Sequence, residues 1–62
     1  MSDRINEVCL KATGKLYDKL SPALRVEFTR YYIHTDFANM SEEEYQRNFS
    51  MLAEEFDDWL LK

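Results

Sequence analysis

The last third of the chain carries the pattern that most constrains the fold, an unbroken series of large apolar residues at helical spacing. Successive members are four, three, four and three residues apart, which is the heptad-like spacing of a helix with one apolar side. The series consists of Tyr45, Phe49, Leu52, Phe56 and Trp59. Ser41 precedes it with Glu44 three residues later, a capping box that starts a helix. The pattern therefore predicts a helix over residues 42–61, about 30 Å long.

A first helix is predicted over residues 3–19, with Ser2 or Asp3 as its N-cap. Apolar residues recur there at helical spacing and form one side of the helix. They are Ile5, Val8, Cys9, Ala12, Leu16 and Leu20. Gly14 falls inside this segment, where it either permits a close helix crossing or weakens the helix by about 1 kcal/mol relative to Ala.

A second helix is predicted over residues 22–35, because Pro22 suits the first position of a helix and Ser21 before it can cap. With no strand pattern between the three helices, the chain is expected to be a single all-α domain, residues 1–62, built as a small bundle. Only one Gly and one Pro are present, which argues against a loop-rich fold.

The second helix has two apolar faces, and this feature predicts a homodimer. One face is formed by Leu24, Phe28, Tyr31 and Tyr32. Val26 and Ile33 lie nearly opposite, joined by Phe37 and Met40 if the helix continues. A helix that is apolar on two sides normally has neighbours on both. Since domains below about 70 residues often need oligomerisation to complete a core, we expect Val26, Ile33, Phe37 and Met40 to form a self-association surface.

The charge of the chain is concentrated in its last helix. The net charge is −4 overall, with +1 in residues 1–40 and −5 in residues 41–62. Four carboxylates fall near the end of that helix: Glu54, Glu55, Asp57 and Asp58. Cations, not anions, are favoured at that end by the helix dipole. This acidic face is therefore either a solvated surface that keeps the protein soluble or a binding surface for a partner protein with a basic surface, or one that mimics a phosphate backbone.

No residue pattern for catalysis, a cofactor or a metal ion is found. His34 is the single histidine, and Cys9 is the single cysteine, which the apolar side of the first helix is expected to bury. Zinc sites need clusters of Cys and His, and phosphate-binding loops need several glycines. We therefore expect a protein that is not an enzyme. One cysteine, no apolar run of about 20 residues and no signal-peptide pattern predict a cytoplasmic location without a membrane segment.

An alternative function is nucleic-acid binding through the basic side of the first two helices. That side would carry Lys11, Lys15, Lys19, Arg25 and Arg30. Such residues could contact phosphates, or they could be solvated cations that balance nearby carboxylates. The acidic third helix would be repelled by a duplex, and the second helix has few side chains that hydrogen-bond base edges. Nucleic acid is therefore the less favoured partner.

Residues 15–20, K-L-Y-D-K-L, followed by Ser21-Pro22, resemble the K-L-Y-D-K-I-P segment of the Hha/YmoA family of small helical modulators that bind the nucleoid protein H-NS. In that family the segment closes the chain, whereas forty residues follow here. In size, acidity and helix content the chain also resembles early-region proteins of temperate bacteriophages. Both resemblances imply a regulator that acts by binding another protein. A third possibility is a subunit that folds only with a larger partner.

Overall fold

The computed structural model describes residues 3–62, which form three α-helices and no strand. Helix α1 spans Arg4–Thr13, α2 spans Pro22–Thr35 and α3 spans Glu42–Leu61. Two short 3₁₀ turns, Tyr17–Lys19 and Phe37–Asn39, follow α1 and α2. The predicted all-α class and the bounds of the second and third helices are confirmed. Within this part of the chain, no helix is both long and apolar enough to cross a membrane.

The predicted first helix, residues 3–19, is too long, because α1 ends at Thr13. Gly14 has a φ of 81°, in the left-handed region that glycine adopts without a steric penalty. Its N–H donates to the Leu10 carbonyl at 2.8 Å, which closes the last turn of α1. Gly14 is thus the C-cap of the helix rather than an interior residue. The chain then reverses, and the Tyr17 N–H donates to Asn6 Oδ1 at 3.2 Å.

Helices α2 and α3 begin where their serines predict. The Ser21 hydroxyl accepts a hydrogen bond from the Leu24 N–H at 3.3 Å. The Ser41 hydroxyl accepts one from the Glu44 N–H and donates to its carboxylate, both at 3.2 Å. These bonds satisfy N–H groups that a helix start otherwise leaves unpaired.

The start of α1 is capped differently from the prediction. Ser2 lies outside the described residues. Asp3 occupies the N-cap position without a capping bond from its side chain, and its carboxylate accepts from Asn6 Nδ2 at 2.7 Å instead. The helix is therefore held at this end by other contacts, which involve Arg4.

Helix α2 does not continue into residues 37–40. Asp36 adopts a left-handed conformation with φ 61°, and its N–H donates to the carbonyls of Tyr32 and Ile33. This C-cap turns the chain away from the helix axis, so Phe37 becomes fully buried instead of extending the outer face of α2. The structure thereby separates Phe37 from Val26 and Ile33.

The core lies where the three helices meet and is mainly aromatic. Its buried members are Val8, Cys9, Leu20, Phe28, Tyr31, Phe37, Tyr45, Leu52 and Phe56. The Phe56 ring stands at its centre, with ring centroids 5.8 Å from Phe28 and 5.3 Å from Tyr31. Cys9 is buried as predicted, and this burial raises the pKa of its thiol despite a hydrogen bond with Thr13. A buried thiol with a raised pKa is a poor nucleophile.

Arg4 joins the start of α1 to the start of α3. Its Nη1 donates to the carbonyls of Phe37 and Met40, each at 2.9 Å. Its Nη2 lies 3.4 Å from a Glu42 carboxylate oxygen, and its guanidinium is 4.4 Å from the centroid of the Tyr45 ring. The side chain is only 19% exposed. Arg4 therefore fixes α1 beside the first turns of α3.

Candidate interaction surfaces

Three of the four predicted acidic-face residues share an exposed part of α3, which we call the acidic strip: Glu54, Asp57 and Asp58. Within residues 3–62 the ion pairs are Arg4–Glu42 and Arg30–Glu27, so neither involves the strip. The last turn of α3 contains no basic residue. Asp57 and Asp58 therefore lie near the helix end where negative charge is disfavoured, and Glu54 lies about one turn earlier.

Glu55 has a different environment from the other three. It is half-buried at the crossing of α2 and α3, where its carboxylate accepts the Tyr31 hydroxyl at 3.3 Å. Burial, together with the negative charge of Glu55, raises the pKa of Tyr31 to about 12. Glu55 thus contributes to the packing of α2 on α3, and the structure does not place it with the acidic strip.

A shallow cleft of about 260 Å³ lies beside Glu55, lined by Tyr31, His34, Thr35, Asp58, Trp59 and Lys62. The His34 ring stands 5.3 Å from the Trp59 ring, centroid to centroid. Among residues 3–62, no three His, Cys, Asp or Glu side chains come close enough to hold a metal ion together. The contact of His34 with Trp59 is a packing contact at the edge of the core.

The predicted self-association residues are divided by the structure. Val26 is 57% exposed and Ile33 is 69% exposed, and their seven-residue spacing places them on the same side of α2. Phe37 is fully buried, and Met40 is half-buried against the core. Only Val26 and Ile33 are therefore available to a second copy of the chain.

The predicted basic side of the first two helices is not a continuous surface. Because α1 ends at Thr13, Lys15 follows its cap and Lys19 lies in a 3₁₀ turn, so neither continues the helical row from Lys11. Arg25 is half-buried and its Nη2 donates to the Leu20 carbonyl at 3.1 Å. Arg30 is paired with Glu27 at 3.6 Å.

An open groove between α1 and α3 is a surface that the sequence interpretation missed. It has a volume of about 530 Å³ and is lined by Glu7, Leu10, Lys11, Tyr45, Gln46 and Phe49. Leu10 is 51% exposed and Phe49 is half-buried, so apolar surface faces solvent. Leu10 is the residue of the sequence that indicates this groove, because it is apolar but lies beside the main apolar side of the first helix.

Polar contacts define the two edges of this groove. The Tyr45 hydroxyl donates to Glu7 Oε1 at 2.7 Å. Burial, followed by the hydrogen bond and the charge of Glu7, raises the pKa of Tyr45 well above its usual value of 10. Lys11 Nζ lies 5.7 Å from the centroid of the Phe49 ring. The α1 edge therefore carries one anion and one cation, each held against an aromatic residue of α3.

Comparison of this chain with models of protein families, with curated proteins and with solved structures finds no match.

Proposed function

We propose that this chain is a non-enzymatic regulatory protein that binds another protein through the acidic strip of α3. The observation that carries the proposal is the exposure of Glu54, Asp57 and Asp58 outside the ion pairs of residues 3–62, with one cation, the C-cap residue Lys62, in the cleft that Asp58 lines. The partner is a protein with a basic surface, because charge complementarity steers encounter and suppresses unsuitable partners.

Helix stability does not account for these residues. The glutamates at the start of α3 complement the positive end of the helix dipole. Asp57 and Asp58 lie near the negative end, where each carboxylate costs a few tenths of a kcal/mol, on the order of 0.3. Neutral polar side chains would solvate that face without the cost. A role in attracting a basic partner supplies the reason that stability does not.

The proposal includes weak homodimerisation through the outer face of α2. Val26 and Ile33 are β-branched, exposed and seven residues apart. An antiparallel second copy of α2 would therefore place Val26 of one copy against Ile33 of the other. Two-fold dimers are the commonest oligomers. Since Phe37 and Met40 pack in the monomer, this contact is smaller than the one expected from the sequence.

The test of the acidic strip is an association-rate measurement. The variant carries Glu54→Gln, Asp57→Asn and Asp58→Asn, and the partner is one captured from a cell lysate and then purified. Exposed charge mainly affects the association rate and its salt dependence. We expect slower association for the variant at low salt, and a difference from the parent that shrinks as salt is raised.

A matched control changes the net charge equally at other sites, with Asp18→Asn, Glu27→Gln and Asp36→Asn. Asn tolerates the left-handed conformation of Asp36. The control should keep most of the parental rate. Equal rates for the parent and the strip variant at low salt would reduce the strip to a solubilising surface.

A further inference from the structure

The groove between α1 and α3 has the form of a site for an apolar side chain. Contacts of Arg4 with Tyr45 and of Lys11 with Phe49 show that the two helices run side by side in the same direction. Leu10 and Phe49 present apolar surface between them, and the volume of about 530 Å³ is within the range of ligand pockets. Because the groove is open, it suits a residue projecting from a partner helix.

The charge on the two sides of the groove is different. On the α1 side, Glu7 and Lys11 balance each other. On the α3 side, Gln46 forms the edge, and at helical spacing the next carboxylates around the helix are those of Asp57, Glu43 and Glu54. Asp58 faces α2, where it lines the cleft beside His34. Residues 41–62 contain seven carboxylates and two cations, Arg47 and Lys62. The α3 side is therefore negative and the α1 side is neutral.

The acidic strip is within reach of a helix anchored in the groove. Glu54 and Asp57 follow Gln46 by eight and eleven residues, which is about 12 and 17 Å along the axis of α3. A partner helix of four or five turns lying along α3 spans that distance, since each turn rises about 5.4 Å. An apolar anchor at Leu10 and cations over Glu54 and Asp57 can thus belong to one segment.

We infer that the occupant of this groove is a basic amphipathic helix, anchored by an aliphatic or aromatic side chain against Leu10 and Phe49 with its Lys or Arg residues over α3. The inference rests on the proposed function and specifies its partner. The charges fix the orientation, because the carboxylates of α3 attract a cation whereas Glu7 and Lys11 leave the α1 side neutral. Apolar burial gives the affinity, and the charges give the direction of binding.

The probe is a synthetic 18-residue peptide with Leu at helical spacing, Lys along one flank and Ala elsewhere. Backbone amide NMR shifts of the full chain are recorded during titration at low and high salt. We expect the largest shifts at Leu10, Gln46 and Phe49, with smaller ones at Glu54 and Asp57, and affinity that falls as salt rises.

Substitution of the groove residue provides a sharp test. Leu10→Ser should weaken peptide binding about tenfold, because the apolar contact of an anchoring side chain is lost. Leu16→Ser is the matched control, since Leu16 is similarly exposed, at 45%, and lies outside the groove. It should leave the affinity unchanged. Both positions are exposed enough that folding tolerates the change.

Two further peptides separate the inference from the proposed function. If a peptide with Ser in place of Leu binds as tightly as the probe and keeps the salt dependence, the groove is not the binding site, whereas binding at the acidic strip still stands. A peptide with Glu in place of Lys that binds equally well overturns both the basic partner and the proposed function. Shifts confined to Val26 and Ile33 would also overturn the inference that the peptide binds in the groove. A Leu10 shift that depends on the concentration of the protein alone would overturn it too, because the occupant would then be a second copy of the chain.

Discussion

Arg4 is predicted to be among the most sensitive positions of the fold. Arg4→Met keeps the length and apolar stem of the side chain and removes its donors. Each hydrogen bond from a charged group contributes about 1.5–3 kcal/mol, and Nη1 makes two of them, to the carbonyls of Phe37 and Met40. Because both bonds share one group, we expect a total loss of about 2–4 kcal/mol. A core of this size supplies about 3–5 kcal/mol, so the variant should be close to unfolded.

The assay is urea unfolding followed by far-UV circular dichroism, compared with Arg30→Met. Arg30 is 68% exposed on its side chain and makes one surface ion pair, so that control should lose about 0.5 kcal/mol or less. Arg4→Lys keeps the charge without the fork of donors and should lie between the two. An Arg4→Met protein as stable as Arg30→Met would refute the view that Arg4 holds α1 to α3.

Three further outcomes follow from the packing. Phe56→Ala should cost about 3–5 kcal/mol, because the ring fills the centre of the core; retention of the parental melting temperature would contradict this. Sedimentation over a concentration series should approach twice the chain mass, and Val26→Ser with Ile33→Ser should remain a monomer; a parent that is monomeric throughout would exclude the dimer. The raised pKa of Tyr31 stabilises the fold below about pH 10, and this contribution is lost as the pH rises toward about 12, because the Tyr31 hydroxyl loses its proton at lower pH in the unfolded chain. Tyr31→Phe should flatten that part of a stability–pH curve. An unchanged curve would contradict the raised pKa of Tyr31.

The parts of the fold that could be predicted have local causes. Ser21-Pro22 and the capping box at Ser41 place helix starts through bonds to residues three positions away, so the sequence states them directly. The end of α1 was missed because apolar spacing continues through Leu16 and Leu20, whereas the left-handed conformation of Gly14 decides where the helix stops.

Contacts between distant residues could not be predicted from spacing. Arg4 bonds to carbonyls 33 and 36 residues away, and nothing in the local pattern identifies backbone groups as its partners. The same holds for Glu55, which helical spacing groups with the acidic strip but which accepts the Tyr31 hydroxyl at the crossing of α2 and α3. The groove required knowledge that α1 and α3 are neighbours.

At the acidic strip, the stability of α3 and the binding of a basic partner favour different residues. One side of α3 packs against α1 and α2, so most of the other side is polar whatever the function of the chain, although Met51 and Leu61 are exposed. Lys, Asn or Gln would meet that need and would suit the end of the helix better than Asp. Asp57→Asn and Asp58→Asn should therefore leave α3 folded and slightly more stable, by a few tenths of a kcal/mol each, about 0.3. A variant that is more stable yet slower to capture its partner would show that the carboxylates serve recognition at the expense of the helix.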